Sequence, residues 1–459
     1  MIPAYDWSRG EVAVVGLGRS GSSATLLLRR LGAQVYASDA GTAPAVAVSR
    51  ESLLAVGASV DVGRHDLPRI ARASLVIASP GVPPTAPPLV AARSAGVPII
   101  SEVELALAAM PGLRYVAVTG TNGKSTVTAL VAHLLRSVGV SVEAAGNIGT
   151  PLSEVALRAA PPAWVALEVS SFQLHDTPSI NPTVGVLTNL SPDHLDRYDS
   201  VEAYYADKAL LFRHAHADSN WVVNADDPAA VAMARGIEGK HFRFSAFGRL
   251  CDAFLGGKGK HQLIVDDEIL MTRDQLPLLG SHNVANALAA VMAVMATDPA
   301  HESFDDRARM VAALESFRAL PHRLEPVADR EGVLWINDSK ATNVASALVA
   351  IESMQRPTIL LLGGRHKGEA YTSLLDAIAR HCRMVLAFGE AAPIIEGDLA
   401  GRAAVQRVDG SFANVMARAH ELARSGDAVL LAPACSSFDM FRNYEERGRA
   451  FAAAARGEG

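Results

Sequence analysis

At 459 residues, 49% hydrophobic and 20% charged, the chain is too long for one core, and its length points to about three domains. A net charge of −6 leaves no basic excess to neutralise a phosphate backbone, so no nucleic-acid partner is expected. Cys251, Cys382 and Cys435 form neither a C-x-x-C nor a disulfide framework, the start MIPAYDWSRG has no apolar signal core, and no unbroken apolar run approaches membrane-spanning length; a cytoplasmic protein without membrane insertion is expected.

In chain order, Val12–Gly16 reads as a strand, Ser20–Leu31 as a helix, Gln34–Ser38 and Leu75–Ala78 as strands, and MPG at 110–112 as a boundary. Strands follow at Tyr115–Val118, Trp164–Val169, Val184–Leu187 and Trp221–Val223. The stretch 241–275, with GGKGK inside it, reads as hairpins or loops, and SHNVANALAAVMAVM as a helix. Beyond Leu320-Pro321, strands are expected at Val333–Ile336, Thr358–Leu362, Met384–Phe388 and Ala428–Leu431. This alternation predicts an α/β protein of three domains in series: a Rossmann-like domain over 1–111, a central phosphate-loop domain with a mainly parallel sheet over 112–319, and a Rossmann-like domain over 320–459.

Two turns have the context of an anion cradle. Gly120-Thr-Asn-Gly-Lys-Ser-Thr126 sits between a strand and a helix, where backbone N–H groups and the helix N-terminus face an anion, Lys124 adds a cation and Ser125 can reach magnesium. Counting back from Lys124, the first glycine of G-x-x-x-x-G-K-[ST] is replaced by Val118, which marks a branch distinct from the small GTPases. Gly16-Leu-Gly-Arg-Ser-Gly21, with Asp39 ending the next strand, matches the dinucleotide fingerprint, but the same geometry accepts any diphosphate, including that of a UDP-sugar.

Further polar groups gather at strand ends. Glu168 closes an apolar strand and reads equally as a magnesium ligand or a solvated acid. His194 either binds a cation or caps the turn after Pro192, and its place among Asp193, Asp196 and Arg197 favours the ligand, whereas Lys208 in YYADKALLF has the default of a snorkelling surface lysine. Asp338 and Lys340 follow a later strand, and Cys435 reads as a packed thiol rather than a nucleophile.

With GTNGKST, GNIG, EVSSFQL, SPDHLDRY, GSHNVANALA and PHR in order, the chain resembles the Mur ligases, ATP-dependent amino-acid ligases of bacterial cell-wall synthesis. NDSKATN, EVSSFQL and ACSSFDMFRNYEERG look most like the branch that adds D-glutamate to UDP-N-acetylmuramoyl-L-alanine. The resemblance implies a UDP-sugar in the first domain, near Gly18, Arg19, Ser20, Ser38, Asp39, Ser79 and Gly81. It places ATP on Gly120, Thr121, Asn122, Gly123, Lys124, Ser125 and Thr126, with Asn286, Arg323, Asp338 and Lys340. It implies two magnesium ions (manganese as a substitute) held through Ser125, Glu168, His194 and a carbamylated Lys208, which replaces the snorkelling reading.

Lys124, His194, Lys208 and Asn147 become the catalytic set, and D-glutamate falls to Thr342, Lys367, Ser437 and Tyr444. Position 444 carries tyrosine where the family more often has phenylalanine, so altered contacts are expected there. The reaction implied is carboxylate activation as an acyl phosphate, then attack by the amino acid's amine, in a monomer. Three other readings compete: an NAD-dependent dehydrogenase, which leaves GTNGKST idle; a folylpolyglutamate-type ligase, which generally lacks the N-terminal UDP-binding domain; and a nucleotide sensor without turnover.

Overall fold

The computed structural model describes residues 5–193 and 197–458, and it contains three sheets. In the first, β1 (Glu11–Val15), β2 (Gln34–Asp39), β3 (Ser59–Val62), β4 (Leu75–Ala78) and β5 (Ile99–Ser101) lie in the order β3-β2-β1-β4-β5, all parallel. Helices cover both faces, so the strands read as apolar runs without alternation, and all of Leu75-Val-Ile-Ala78 is buried. The chain builds outward from β1 on one side and returns to β4 on the other. Between the carboxyl ends of β1 and β4 lies the crevice that such a reversal opens.

The second sheet has nine strands: β6 (Arg114–Thr119), β7 (Val142–Gly146), β8 (Trp164–Glu168), β9 (Val184–Leu187), β10 (Asn220–Asn224), β11 (Lys240–Ser245), β12 (Ala253–Gly256), β13 (Gln262–Val265) and β14 (Glu268–Thr272). Their order is β14-β13-β12-β11-β10-β9-β6-β8-β7, and only the β12-β13-β14 meander is antiparallel. GGKGK is the turn between β12 and β13, as the hairpin reading expects. Helix Lys124–Ser137 follows β6 and buries Val127, Leu130, Val131, Leu134 and Leu135, the i, i+3, i+4, i+7, i+8 stripe that faces a sheet.

The third sheet runs β15-β16-β20-β17-β18-β19, from Glu325–Arg330 (β15), Val333–Asn337 (β16), Thr358–Gly363 (β17), Cys382–Phe388 (β18), Val405–Arg407 (β19) and Ala428–Leu431 (β20). Only the β15–β16 hairpin is antiparallel. The first two sheets pack into one compact unit, Met1–Gln275 with Ala285–Glu315, and the third belongs to another, Leu276–Val284 with Ser316–Gly459. No helix among the described residues is long and apolar enough to cross a membrane.

Helix Glu102–Ala109, between the first two sheets in sequence, carries two buried acids. Glu104 is satisfied by Tyr5 Oη (3.0 Å), Ser179 N (3.0 Å) and Ser179 Oγ (2.6 Å). Glu102 accepts from Ser153 N through Oε1, but its buried Oε2 has no hydrogen-bond partner among the described residues. Burial pushes its carboxyl up from 4.5 to about 7. Folded Glu102 therefore holds a proton that the unfolded chain releases, and stability falls as pH rises from about 4.5 through about 7. A shift of that size corresponds to about 3 kcal/mol. Glu102→Gln is expected to flatten this part of a urea-denaturation pH profile; an unchanged slope would place its cause elsewhere.

Candidate active site

β6 runs through Val118, the position where longer phosphate loops have their first glycine, and the chain turns at Gly120 instead. Gly120 has φ +142°, and a Cβ there would stand 2.0 Å from Thr188 Oγ1, so no side chain fits. At Gly123, φ +83° opens the helix, and a Cβ would meet the buried Asn286 Oδ1 at 2.5 Å. Asn286 thus closes over the phosphate loop within the same unit.

The loop after β9 fixes this turn from the other side. Thr121 N donates to Asn189 O (2.8 Å), Asn122 N to Asn189 Oδ1 (2.9 Å), and Thr188 Oγ1 to Asn122 O (2.6 Å). Ser125 and Thr126 are buried in the first helical turn.

Two amines converge on the turn. Lys124 Nζ donates to Gly120 O (3.0 Å) and Thr121 O (2.8 Å), and Lys208 Nζ donates to Gly120 O (2.7 Å). Lys208 is 1% exposed, which overturns the snorkelling default: its helix Val201–Ala209 turns it inward, with the ammonium 4.6 Å from the Tyr204 ring centre. Burial first, and the neighbouring Lys124 second, hold its amine well below the usual lysine range.

Glu168 ends β8 and is only 2% exposed, so the solvated-acid reading fails. Its Oε1 accepts from Asn147 Nδ2 (2.9 Å), and Oε2 is buried with no hydrogen-bond partner among the described residues. Asn147 N also donates to Glu168 O (2.9 Å), tying GNIG to the strand end. Glu168 and Asp193 both act electrostatically on the Lys208 amine. His194 and Asp196 lie outside the described residues.

At the first sheet's crevice, Ser79 Oγ donates to Gly16 O (2.8 Å), joining the loops after β1 and β4. Asp39 turns both oxygens onto its surroundings, accepting from Leu17 N (2.6 Å) and Gly41 N (2.7 Å). It organises the glycine-rich turn itself. Ser38 is buried against His65 Nδ1 (2.9 Å), while Gly18 and Gly81 are exposed and Ser20 half-buried in the first helical turn. Arg19 forms a two-pronged ion pair with Glu154 (3.0 Å for each contact) and donates to Gly149 O (2.8 Å), the last residue of GNIG.

In the unit of the third sheet, Asp338, Lys340 and Thr342 follow β16, Ser437 follows β20, and the exposed Lys367 follows β17: carboxyl ends of three adjacent strands. Asp338 accepts from Leu324 N (3.2 Å), and burial pushes its carboxyl up to about 7 against the pull of Arg323. Lys340 Nζ donates to the Tyr444 hydroxyl (3.1 Å), an oxygen that phenylalanine would lack. Cys435 is fully buried beside Tyr371 Oη (2.9 Å), and burial raises its thiol to about 11, which suits packing rather than attack.

Family models match in series: Mur ligase MurD-like, N-terminal domain over residues 10–101; Mur ligase middle domain over 118–294; and Mur ligase, glutamate ligase domain over 322–435. The UDP-N-acetylmuramoylalanine--D-glutamate ligase of Acidobacterium capsulatum is 40% identical over 445 residues, covering 96% of this chain and 95% of the relative. The chain belongs to the Mur ligase family. The ligase of the same name from Anaeromyxobacter dehalogenans is 41% identical over 459 residues, covering 96% of both chains. Two solved Mur ligases share the fold: MurF of Thermotoga maritima in complex with ADP (TM-score 0.62, 18% identity, 93% of this chain and 95% of that one) and MurC of the same organism (0.61, 19%, 98% and 100%).

This Mur ligase also uses a residue the sequence reading passed over. Arg447, in helix Tyr444–Arg456, is fully buried. Its guanidinium donates to Ser339 Oγ (3.0 Å), Ser339 O (2.9 Å) and Cys435 O (3.1 and 3.2 Å), fixing the loops after β16 and β20 to each other. Arg447→Met is expected to destabilise the chain by about 3 kcal/mol or more, because carbonyls that cannot reach water lose their donor. Arg447→Lys should recover only part of this, lacking the planar fork. Denaturant midpoints equal to the parent's would remove Arg447 from that role.

Proposed function

We propose that this Mur ligase joins D-glutamate to UDP-N-acetylmuramoyl-L-alanine in an ATP-dependent reaction that releases ADP and phosphate, acting as a cytoplasmic monomer. The observation that carries this reading is the convergence of two lysine amines on one turn, beside a strand end whose buried carboxylate oxygen has no hydrogen-bond partner among the described residues. Such a centre suits a reaction that brings anions together. The high similarity to named D-glutamate ligases supports the choice of acceptor.

In this reading segment 1–111 binds the UDP-sugar through the Gly16 and Ser79 loops, 112–319 holds ATP, and 320–459 receives the amino acid through Thr342, Lys367, Ser437 and Tyr444. The Gly120–Thr126 loop, with Asn286, cradles the triphosphate, and Arg323, Asp338 and Lys340 are its further contacts. Glu168 and Ser125 fit a hard divalent cation, and a carbamate on Lys208 would add an anionic oxygen ligand. Bound magnesium, two ions in this proposal, supplies positive charge between the reacting anions.

The terminal alanine carboxylate attacks the γ-phosphorus and the bond to the ADP oxygen breaks, giving an acyl phosphate. The D-glutamate amine then attacks the carbonyl carbon, phosphate departs with its electron pair, and the nitrogen gives up a proton. Lys124 offsets charge on the transferred group, and Asn147 holds Glu168 in place. With ¹⁸O in the alanine carboxylate, one labelled oxygen is expected in the released phosphate. Unlabelled phosphate alongside amide product would exclude the acyl phosphate.

A further inference from the structure

The segment that follows Glu168 and the helix that carries Lys208 are joined by a set of side chains that touch neither group directly. Helix Ser171–His175 starts three residues after Glu168 and is fixed by a capping box, Ser170 with Gln173. From its far end, His175 Nδ1 meets Asp207 Oδ1 at 2.8 Å, and Asp207 immediately precedes Lys208. The other carboxylate oxygen, Oδ2, accepts from the Tyr198 hydroxyl at 2.9 Å. Tyr198 stacks on Phe172 (ring centres 5.2 Å apart, planes 14° apart), and the Arg197 guanidinium lies 5.0 Å from the same Phe172 ring centre.

The contacts form a closed circuit. Phe172 and His175 belong to the segment after Glu168, Asp207 to the helix of Lys208, and Tyr198 to the chain entering that helix. Asp207 is mostly buried and its partner His175 is exposed, with side-chain exposures of 16% and 59%. A carboxylate that takes one hydrogen bond on each oxygen from two different segments has a fixed orientation, and so has the helix end that bears it. The next residue along is the lysine whose amine must reach Gly120 at 2.7 Å.

We propose that Asp207, gripped by His175 and Tyr198, is a positioning residue that sets the Lys208 helix against the Glu168 strand end, so that both present their groups to one divalent cation. This rests on the ligase reading above. Outer contacts that orient metal ligands typically change metal affinity or activity by about 10–100-fold when removed. The grip acts through geometry, so its loss should appear in cation binding rather than in recognition of the acceptor.

The test is Mn²⁺ binding followed by electron paramagnetic resonance on the full chain with ADP, together with thermal melting. Asp207→Ala is expected to weaken Mn²⁺ binding about tenfold or more, with the protein still folded and the KM for D-glutamate little changed. His175→Ala and Tyr198→Phe, each removing one side of the grip, should give smaller losses, and adding either to Asp207→Ala should weaken binding no further. Asp207→Asn, which keeps the shape and one acceptor oxygen, should recover part of the affinity. If all variants bind Mn²⁺ as the parent does, or if each loss merely follows the melting temperature, the positioning role is wrong and the ligase reading stands. If the parent retains no Mn²⁺ with ADP, the ligase reading fails and this role fails with it.

Discussion

Lys124→Ala is expected to lower kcat by about 10²–10³-fold while leaving the fold in place. The amine donates to two carbonyls of its own loop, Gly120 O and Thr121 O, and it is half-buried. The structure that positions the loop lies elsewhere, in the Asn189, Thr188 and Asn286 contacts and in the buried face of helix Lys124–Ser137. Melting temperature and circular dichroism should therefore stay close to the parent's. The loss should fall on the chemical step, because in the proposed reaction the amine offsets charge on the transferring phosphoryl group. Near-normal phosphate release from a folded variant would contradict the role given to Lys124.

The second large effect is expected at Lys208. Lys208→Met keeps most of the buried volume but removes the amine, and activity should again fall by about 10²–10³-fold. Stability should behave differently. The folded amine loses its proton well below 10.5, where the unfolded chain still carries one, so unfolding takes up a proton. The parent should thus gain stability relative to Lys208→Met as pH rises toward 10.5.

A neutral amine is also the form that reacts with carbon dioxide, and the resulting carbamate is anionic. Lys208→Ala leaves room for a small carboxylic acid to stand in for it, so formate or acetate should restore part of the rate. A folded, inactive Lys208→Ala variant indifferent to these acids would count against the carbamate without touching the ligase reading.

The phosphate loop was legible because its demands are local: two glycines at positions where no side chain fits, then lysine and serine opening a helix. Most strands were legible from apolar runs, within one or two residues at their ends. β7 was not, since Val-Glu-Ala-Ala-Gly carries neither a β-branched run nor clear alternation, and short β3 mixes Ser and Asp with two valines.

The burial of charged groups was the hardest part to read. Lys208, Glu102 and Arg447 are charged residues in helical stretches, where a solvated position is the default, and pairing with distant segments makes them interior. Tyr198 and Asp207 illustrate the same limit, because their partners His175 and Phe172 come from another helix. The family resemblance supplied what local pattern could not for Lys208. Arg447 lies in the motif ACSSFDMFRNYEERG, but the resemblance assigned it no role, and it gave no sign of the grip on Asp207.

In the proposed reaction ATP consumption is coupled to one acid and one amine. Phosphate release should be measured on the purified chain with Mg²⁺, ATP and UDP-N-acetylmuramoyl-L-alanine, adding D-glutamate, L-glutamate, lysine or diaminopimelate in turn. Rapid release, matched mole for mole by the amide product, is predicted with D-glutamate alone. Release that ignores the acceptor, or that is fastest with lysine or diaminopimelate, would contradict the account.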